Sequence, residues 1–84
     1  MSNIEIRLTI LHTNGEKLRN AYKLSWDSNK KSFEMFIVDL MNTIQVTEEP
    51  GLLDSIVIDD IIVIDANEEE TEEINLFKKD AGLV

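Results

Sequence analysis

The chain has 84 residues, a net charge of −9 and no cysteine. Its length fits one domain, and the lack of cysteine excludes disulfides and thiolate metal sites. Ile, Leu, Val and Phe make up 28 of the 84 residues, which is too many for a disordered acidic chain. The excess of acidic residues disfavours direct binding to nucleic acid or to membrane surfaces.

The acidic residues are concentrated in one segment. Residues 34–77 contain 13 Asp or Glu and no Lys or Arg, whereas the first 33 residues carry six basic and three acidic side chains. Two interpretations stay open: a solubilising surface, and an interaction surface for a basic protein. Charge that serves only solubility is normally of mixed sign, and this segment has one sign only.

The first predicted elements are two strands joined by a tight turn. Residues 3–12 alternate apolar and polar side chains, as a half-buried strand does. Asn14 and Gly15 follow, and both tolerate the positive φ that a hairpin turn requires. Residues 17–26 predict the return strand, so the chain is expected to open with a β-hairpin.

Residues 29–45 predict one amphipathic helix. Residues 27–29 offer side chains that accept the first amide hydrogens of a helix, and Pro50 prevents its continuation. We expect Tyr22 and Trp26 to close the core beside the first turn of this helix, near its first apolar residue. Apolar side chains recur along it at helical spacing: Phe33, Phe36, Ile37, Leu40, Met41 and Ile44.

The apolar segment 52–66 fits two descriptions. It is either one long strand that carries Asp60 and other acids outward, or two short strands, 56–58 and 61–64, that are joined at Asp59 and Asp60. We favour a loop at Asp54 and Ser55 or at Asp59 and Asp60, with a central strand after it. Because residues 61–64 are apolar on both faces, we expect them to form a central strand that is covered on both sides.

The remaining residues complete a small α+β domain. Residues 67–70 predict a solvated turn, and residues 71–78 predict either a last strand or a short helix. The predicted domain spans residues 1–80, with a frayed tail at residues 81–84. Its order is ββαβ(β): a β-hairpin, one amphipathic helix, then one or two further strands, with the helix packed on one face of a sheet of about four strands.

No motif places a catalytic group, a metal or a cofactor. His12, the only histidine, follows the first strand, and we expect an exposed turn histidine and no enzymatic activity. Asp54, Asp59, Asp60 and Asp65 lack the spacing of a calcium loop, and strand alternation places Asp59 and Asp60 on opposite faces. We therefore expect no metal site and no other cofactor.

The basic residues of the hairpin also have an ordinary explanation. They could face a phosphate backbone, but the excess of acidic residues favours a solvated strand face with cross-strand pairs. These residues are Arg7, Lys17, Arg19 and Lys23.

The predicted function is protein binding, as an inhibitor or adaptor that docks on a basic protein surface. The interpretation extends to nucleic-acid mimicry, in which carboxylates occupy the nucleic-acid site of a nuclease or a defence protein. The first residues lack the features of a secretory signal, so we expect a cytoplasmic protein. The candidate partner-binding residues are Glu48, Glu49, Asp54, Asp59, Asp60, Asp65, Glu68, Glu69, Glu70, Glu72 and Glu73.

The alternative is an assembly protein. It would form homo-oligomers through a free sheet edge or through the apolar residues Leu52, Leu53 and Ile56. In either case we expect a homodimer that buries part of the apolar segment 52–64, since one helix covers only part of it.

Overall fold

The protein folds as a three-stranded antiparallel sheet with two helices against one of its faces. The structure is a computed structural model that describes residues 1–48 and 51–83. The sheet order is β2-β1-β3, which confirms the α+β class, with one strand after α1, the smaller of the two predicted numbers. In chain order the elements are β1 (Ser2–His12), β2 (Lys17–Trp26), α1 (Phe33–Thr47), β3 (Leu53–Asp65) and α2 (Glu68–Asp80).

The predicted hairpin of β1 and β2 is confirmed. Ile10 pairs with Leu18 next to the turn, and the N–H of His12 donates to the carbonyl of Glu16 at 2.9 Å. Gly15 has a φ of +90°, a conformation that glycine adopts without the steric cost of a Cβ atom. The local turn chemistry thus sets the register of β2 against β1.

The core lies between the sheet and the two helices. Alternation along β1 sends every second side chain towards the helices. The rings of Trp26 and Phe33 meet edge to face with their centroids 5.0 Å apart, and Tyr22 packs against the same cluster, as predicted. The buried apolar residues are Ile4, Ile6, Leu8, Ile10, Trp26, Phe33, Ile37, Ile44, Ile61 and Ile74.

Helix α1 presents the predicted apolar stripe to this core but begins at Phe33 rather than near residue 29. The Asp27 carboxylate accepts a hydrogen bond from the N–H of Asn29 at 3.0 Å, so these residues form a separate turn instead of capping the helix. Ser32 is the N-cap, and its hydroxyl oxygen accepts from the N–H of Met35 at 3.2 Å. Pro50, the predicted stop, lies outside the described residues.

Strand β3 runs without interruption through both predicted loop positions, so the favoured loop at Asp54 and Ser55 or at Asp59 and Asp60 is wrong. Arg7 pairs with Asp60 and Leu8 pairs with Ile58, which leaves Asp59 as an extra residue on β3. A bulge of this kind accommodates an additional residue without ending the strand. The predicted central position is also wrong, because β3 lies at an edge of the sheet and only one of its faces is covered by the helices.

Residues 67–70 begin a helix, so the predicted solvated turn is wrong. The side-chain oxygen of Asn67 accepts from the N–H of Glu70 at 2.8 Å and caps the first turn of α2. Acidic side chains in the first turn, and Lys78 and Lys79 in the last, complement the helix dipole. Residues 71–78 are therefore helical, which decides between the two predicted alternatives.

Residues 81–83, within the tail 81–84 that is predicted to fray, form the end of α2. The N–H of Leu83 donates to the carbonyl of Lys78 at 2.8 Å, and the N–H of Gly82 donates to the carbonyl of Lys79 at 3.2 Å. With Gly82 at a φ of +75°, these bonds form a Schellman motif.

Candidate interaction surfaces

The acidic side chain of Glu70 is buried and structural. It is 1% exposed, and its Oε1 accepts from the hydroxyl of Ser2 at 2.9 Å and lies 3.2 Å from the amino group of Met1. Its Oε2 accepts from the backbone N–H of Ser28 at 3.0 Å. The carboxylate thus ties α2 to β1 and to the loop before α1. The prediction that Glu70 belongs to an exposed acidic surface is wrong.

These contacts lower the pKa of Glu70 from 4.5 to about 2. The largest cause is the backbone hydrogen bond from Ser28, while burial acts in the opposite direction and the Ser2 hydroxyl and the Met1 amino group lower the pKa further. Each donor stabilises the charged form of the carboxylate. Glu70 is therefore ionised throughout the neutral pH range.

Glu73, about one turn further along α2, has a second structural role. Its carboxylate accepts a hydrogen bond from the N–H of Phe33, the first residue of α1. A carboxylate at the N-terminus of a helix is favourable because the amide hydrogens there are unpaired and the helix dipole is positive. Glu70 and Glu73 explain how so acidic a helix packs against the core, since both inward-facing carboxylates have N–H donors.

The start of α2 also carries a group of exposed acids. Asp65 ends β3, and Glu68, Glu69 and Glu72 lie in the first two turns of α2; all four are exposed. The ion pairs of the described residues include none of them. We call these four residues the α2 acidic surface.

Asp59 and Asp60 have separate partners. Asp59 accepts a hydrogen bond from the hydroxyl of Thr9 at 2.6 Å, whereas Asp60 lies 3.6 Å from Nζ of Lys78 on α2. In residues 1–48 and 51–83, no three His, Cys, Asp or Glu side chains are arranged to hold a metal ion. The two aspartates therefore belong to different surroundings and do not form a paired-carboxylate site.

His12 lies between two acidic side chains, so its predicted exposure is wrong. Its side chain is 15% exposed, with Nδ1 at 3.8 Å from Glu16 and Nε2 at 3.5 Å from Glu48. These contacts connect the hairpin turn to the end of α1 and engage Glu48 within the fold. Of the other predicted partner-binding acids, Asp54 is exposed near the start of β3, and Glu49 lies outside the described residues.

The face of the sheet opposite the helices has no covering element in the described part of the chain. Its β3 half is apolar at Val57, Ile62 and Ile64, of which Val57 is 47% and Ile64 is 57% exposed. Its β2 half carries the predicted exposed basic side chains, Lys17, Arg19 and Lys23. We call this surface the open sheet face.

The middle of the open sheet face contains an ion pair and a depression. Arg7 on β1 pairs through Nε with Glu5 at 2.9 Å, two residues earlier on the same strand, whereas the predicted pairs were across strands. A shallow depression of about 480 Å³ lies around the small side chain of Ala21 and is lined by Arg7, Arg19 and Asp59. The open sheet face is therefore cationic on its β2 side. On its β3 side it is apolar and carries one acidic residue, Asp59.

Within residues 1–48 and 51–83, each outer strand of the sheet has a free edge, and the two outer strands carry charges of opposite sign. Lys17, Arg19 and Lys23 lie on β2, whereas β3 carries aspartates and a bulge at Asp59. Charged side chains and bulges oppose pairing between sheet edges, and like charges would meet if two copies joined the same edge. These features disfavour symmetric assembly of two copies through the same sheet edge.

Comparisons of the chain with protein-family models, with curated proteins and with solved structures find no match. Neither helix of the described residues has the length and apolar character needed to cross a membrane. The surfaces of the molecule are therefore the basis for assigning a function.

Proposed function

We propose that this protein is a small acidic binding module that docks through the α2 acidic surface on a basic surface of another protein. One observation carries the proposal: four exposed carboxylates within residues 65–72 belong to no ion pair of the described residues. In the same part of the chain, the two carboxylates that do have donors, Glu70 and Glu73, face the fold. The exposed charges are thus free to act on a partner.

The expected binding mode is electrostatic steering by several charges together. An exposed ion pair contributes about 0–1 kcal/mol, so no single residue of the α2 acidic surface should dominate the affinity. A set of like charges does accelerate association with an oppositely charged patch, and salt weakens this effect because the Debye length is about 10 Å at 0.1 M. Binding should therefore be lost when several charges are changed and should depend steeply on salt.

The partner class that fits this surface is a protein with a basic nucleic-acid-binding site. Such sites bind phosphates through Lys and Arg side chains, and a group of carboxylates without counter-charges presents similar acceptors. The proposed mode of action is occupation of that site, as an inhibitor or adaptor, and it requires no catalysis by this chain.

The test compares two variants of equal net charge. One changes the α2 acidic surface (Glu68→Lys, Glu69→Lys and Glu72→Lys), and the control changes three exposed acids elsewhere (Glu34→Lys, Asp54→Lys and Asp80→Lys). Wild-type protein and the control, when immobilised, should retain the same basic protein from an extract of the native host, and the first variant should not. High salt should release the retained protein.

A glutamine version of the first variant separates charge from helix stability. Lysines in the first turn of α2 also oppose the helix dipole, whereas glutamines remove the negative charge only. The glutamine variant should lose most of the retention while keeping the helical circular dichroism of the wild type. Equal retention by the wild type and both α2 variants would contradict the proposal.

A further inference from the structure

The open sheet face combines exposed apolar side chains with two halves of different charge. Val57 and Ile64 are about half exposed on β3, and the β2 half of the same face carries only basic charges among its exposed ionisable residues. Sheets of this size usually bury at least one apolar face and cover further apolar patches with a partner. We infer that the open sheet face packs against the same face of a second copy of the chain.

The register of the sheet makes the face complementary to itself. Arg19 pairs with Thr9 across β1 and β2, and Asp59 accepts a hydrogen bond from Thr9 across β1 and β3. Both charged side chains therefore lie at the same level along the strands, on opposite sides of β1. A two-fold axis parallel to β1 keeps that level and places β2 of one copy over β3 of the other. Arg19 of each copy then faces Asp59 of its partner, and the pair occurs twice.

The other symmetric arrangement is electrostatically unfavourable. A two-fold axis perpendicular to the strands places β2 over β2, so that Arg19 and Lys23 would approach the basic side chains of the second copy. Like charges in an interface oppose association. Glu5 and Arg7 on the middle strand neutralise each other within each copy, so β1 adds no net charge in either arrangement.

The size of the face fits a reversible dimer. Ten residues of β1 pair with β2, and with a rise of about 3.3 Å and a strand spacing of about 4.8 Å the face measures about 33 by 14 Å. Two copies would thus bury about 900 Å², close to the roughly 1,000 Å² of a weak specific interface. The aliphatic stems of Arg19 and Lys23 would cover Val57 and Ile62 of the other copy.

The net charge of −9 does not oppose this arrangement strongly. Facing sheets lie about 10 Å apart, and the helices lie beyond each sheet, on the outer sides of the dimer. The α2 glutamates of the two copies are therefore separated by more than the Debye length of about 8 Å at 0.15 M salt. Asp65, which pairs with Asn3 at the end of β3, lies at the rim of the dimer face, whereas Glu68, Glu69 and Glu72 stay free for a different partner. The inference is independent of the proposed function, because the test of that function changes only these three glutamates.

Sedimentation equilibrium tests the dimer with a matched pair of variants. Val57→Asp places a charge on the open sheet face, and Val46→Asp places the same charge on α1, where Val46 is 84% exposed. Wild-type protein and Val46→Asp should dimerise with the same dissociation constant in the micromolar range, and Val57→Asp should dimerise at least tenfold more weakly. A wild-type monomer at several hundred micromolar, or equal dimerisation of both variants, overturns the inference.

Cross-linking tests the arrangement without depending on the stability of Val57→Asp. The natural chain has no cysteine, so Arg19→Cys and Asp59→Cys each carry a single thiol at a position exposed in the monomer. A short bifunctional maleimide should cross-link the two variants to each other when they are mixed. It should not cross-link either variant to itself. Cross-linking of Arg19→Cys with itself would indicate the other axis, and no cross-link in the mixture would exclude the contact; both results overturn the inference.

Discussion

Replacing Ile74 by alanine tests whether residues 71–78 form a helix that packs on the core. Ile74 is 0% exposed and Leu76 is 63% exposed, although in a strand the two side chains would lie on the same face. Ile74→Ala removes three buried carbon atoms, worth about 2.4 kcal/mol at about 0.8 kcal/mol each. The cavity left behind brings the expected loss of unfolding free energy to about 2–4 kcal/mol.

Urea denaturation measures this loss, and Leu76→Ala is the matched control. With an m-value of about 1 kcal/mol/M for a small domain, Ile74→Ala should lower the midpoint by about 2–4 M. Leu76→Ala removes the same number of carbon atoms from an exposed position, so its unfolding free energy should change by less than about 0.5 kcal/mol. Equal midpoint losses would place both residues on one buried face and refute the helical assignment.

Three further predictions concern α1, the cap of α2 and Glu70. Ile37→Ala should cost about 2–4 kcal/mol of unfolding free energy, and Val38→Ala on the exposed side of α1 should leave the urea midpoint nearly unchanged; the reverse order would mean that the helix faces the other way. Asn67→Ala should lower the unfolding free energy by about 1 kcal/mol, and Asn67→Ser should lower it much less, because serine also caps helices. Thermal unfolding would detect this difference, and equal stability of the two variants would indicate a solvated turn instead of a helix N-terminus. Glu70→Gln should be less stable than the wild type at neutral pH. Because the folded-state pKa lies below the ordinary value, that difference is fully present above pH 4.5 and should shrink as the pH falls to about 2; a difference that stays constant in urea midpoints over this range would contradict the role of the carboxylate.

The hairpin and α1 were predictable because their signals are local. The adjacent Asn14 and Gly15 indicate a turn, of which only Gly15 takes the positive φ, and the apolar stripe from Phe33 to Ile44 repeats at helical spacing over three turns. The continuity of β3 was one of the two descriptions that the sequence allowed, but a loop was favoured because two adjacent aspartates are typical of a turn. In the structure a bulge accommodates Asp59, and Lys78 from another element pairs with Asp60.

Helix α2 was only partly predictable because its inward face is partly acidic. Ile74 is buried, but Glu70 and Glu73 also face inward, so the apolar period is incomplete. Their partners lie far away in sequence: Ser2 is 68 residues from Glu70. The one local signal was Asn67 as an N-cap with a glutamate three residues later.

The sequence predicted that the candidate interaction surface is acidic, but it did not predict which of the acidic residues are exposed on it. The sequence places the acids in one segment, whereas exposure depends on which side of α2 and of the sheet each residue occupies. Glu70 and Glu73 therefore belong to the fold, and Asp59 belongs to the open sheet face. Four of the exposed acids without an ion pair in the described residues lie within residues 65–72, at the end of β3 and the start of α2, and the others are spread over the chain at Glu34, Asp54, Asp59 and Asp80.

A competition titration tests the proposed docking of the α2 acidic surface most directly. The basic protein retained from the host extract is purified, loaded with fluorescently labelled DNA or RNA, and titrated with the wild type, the Glu68, Glu69 and Glu72 lysine variant, or the control of equal charge. The proposal predicts that the wild type and the control displace the nucleic acid, with an affinity that falls steeply as salt is raised, and that the α2 variant does not. Displacement by the α2 variant at the same concentrations and at every salt concentration would contradict it.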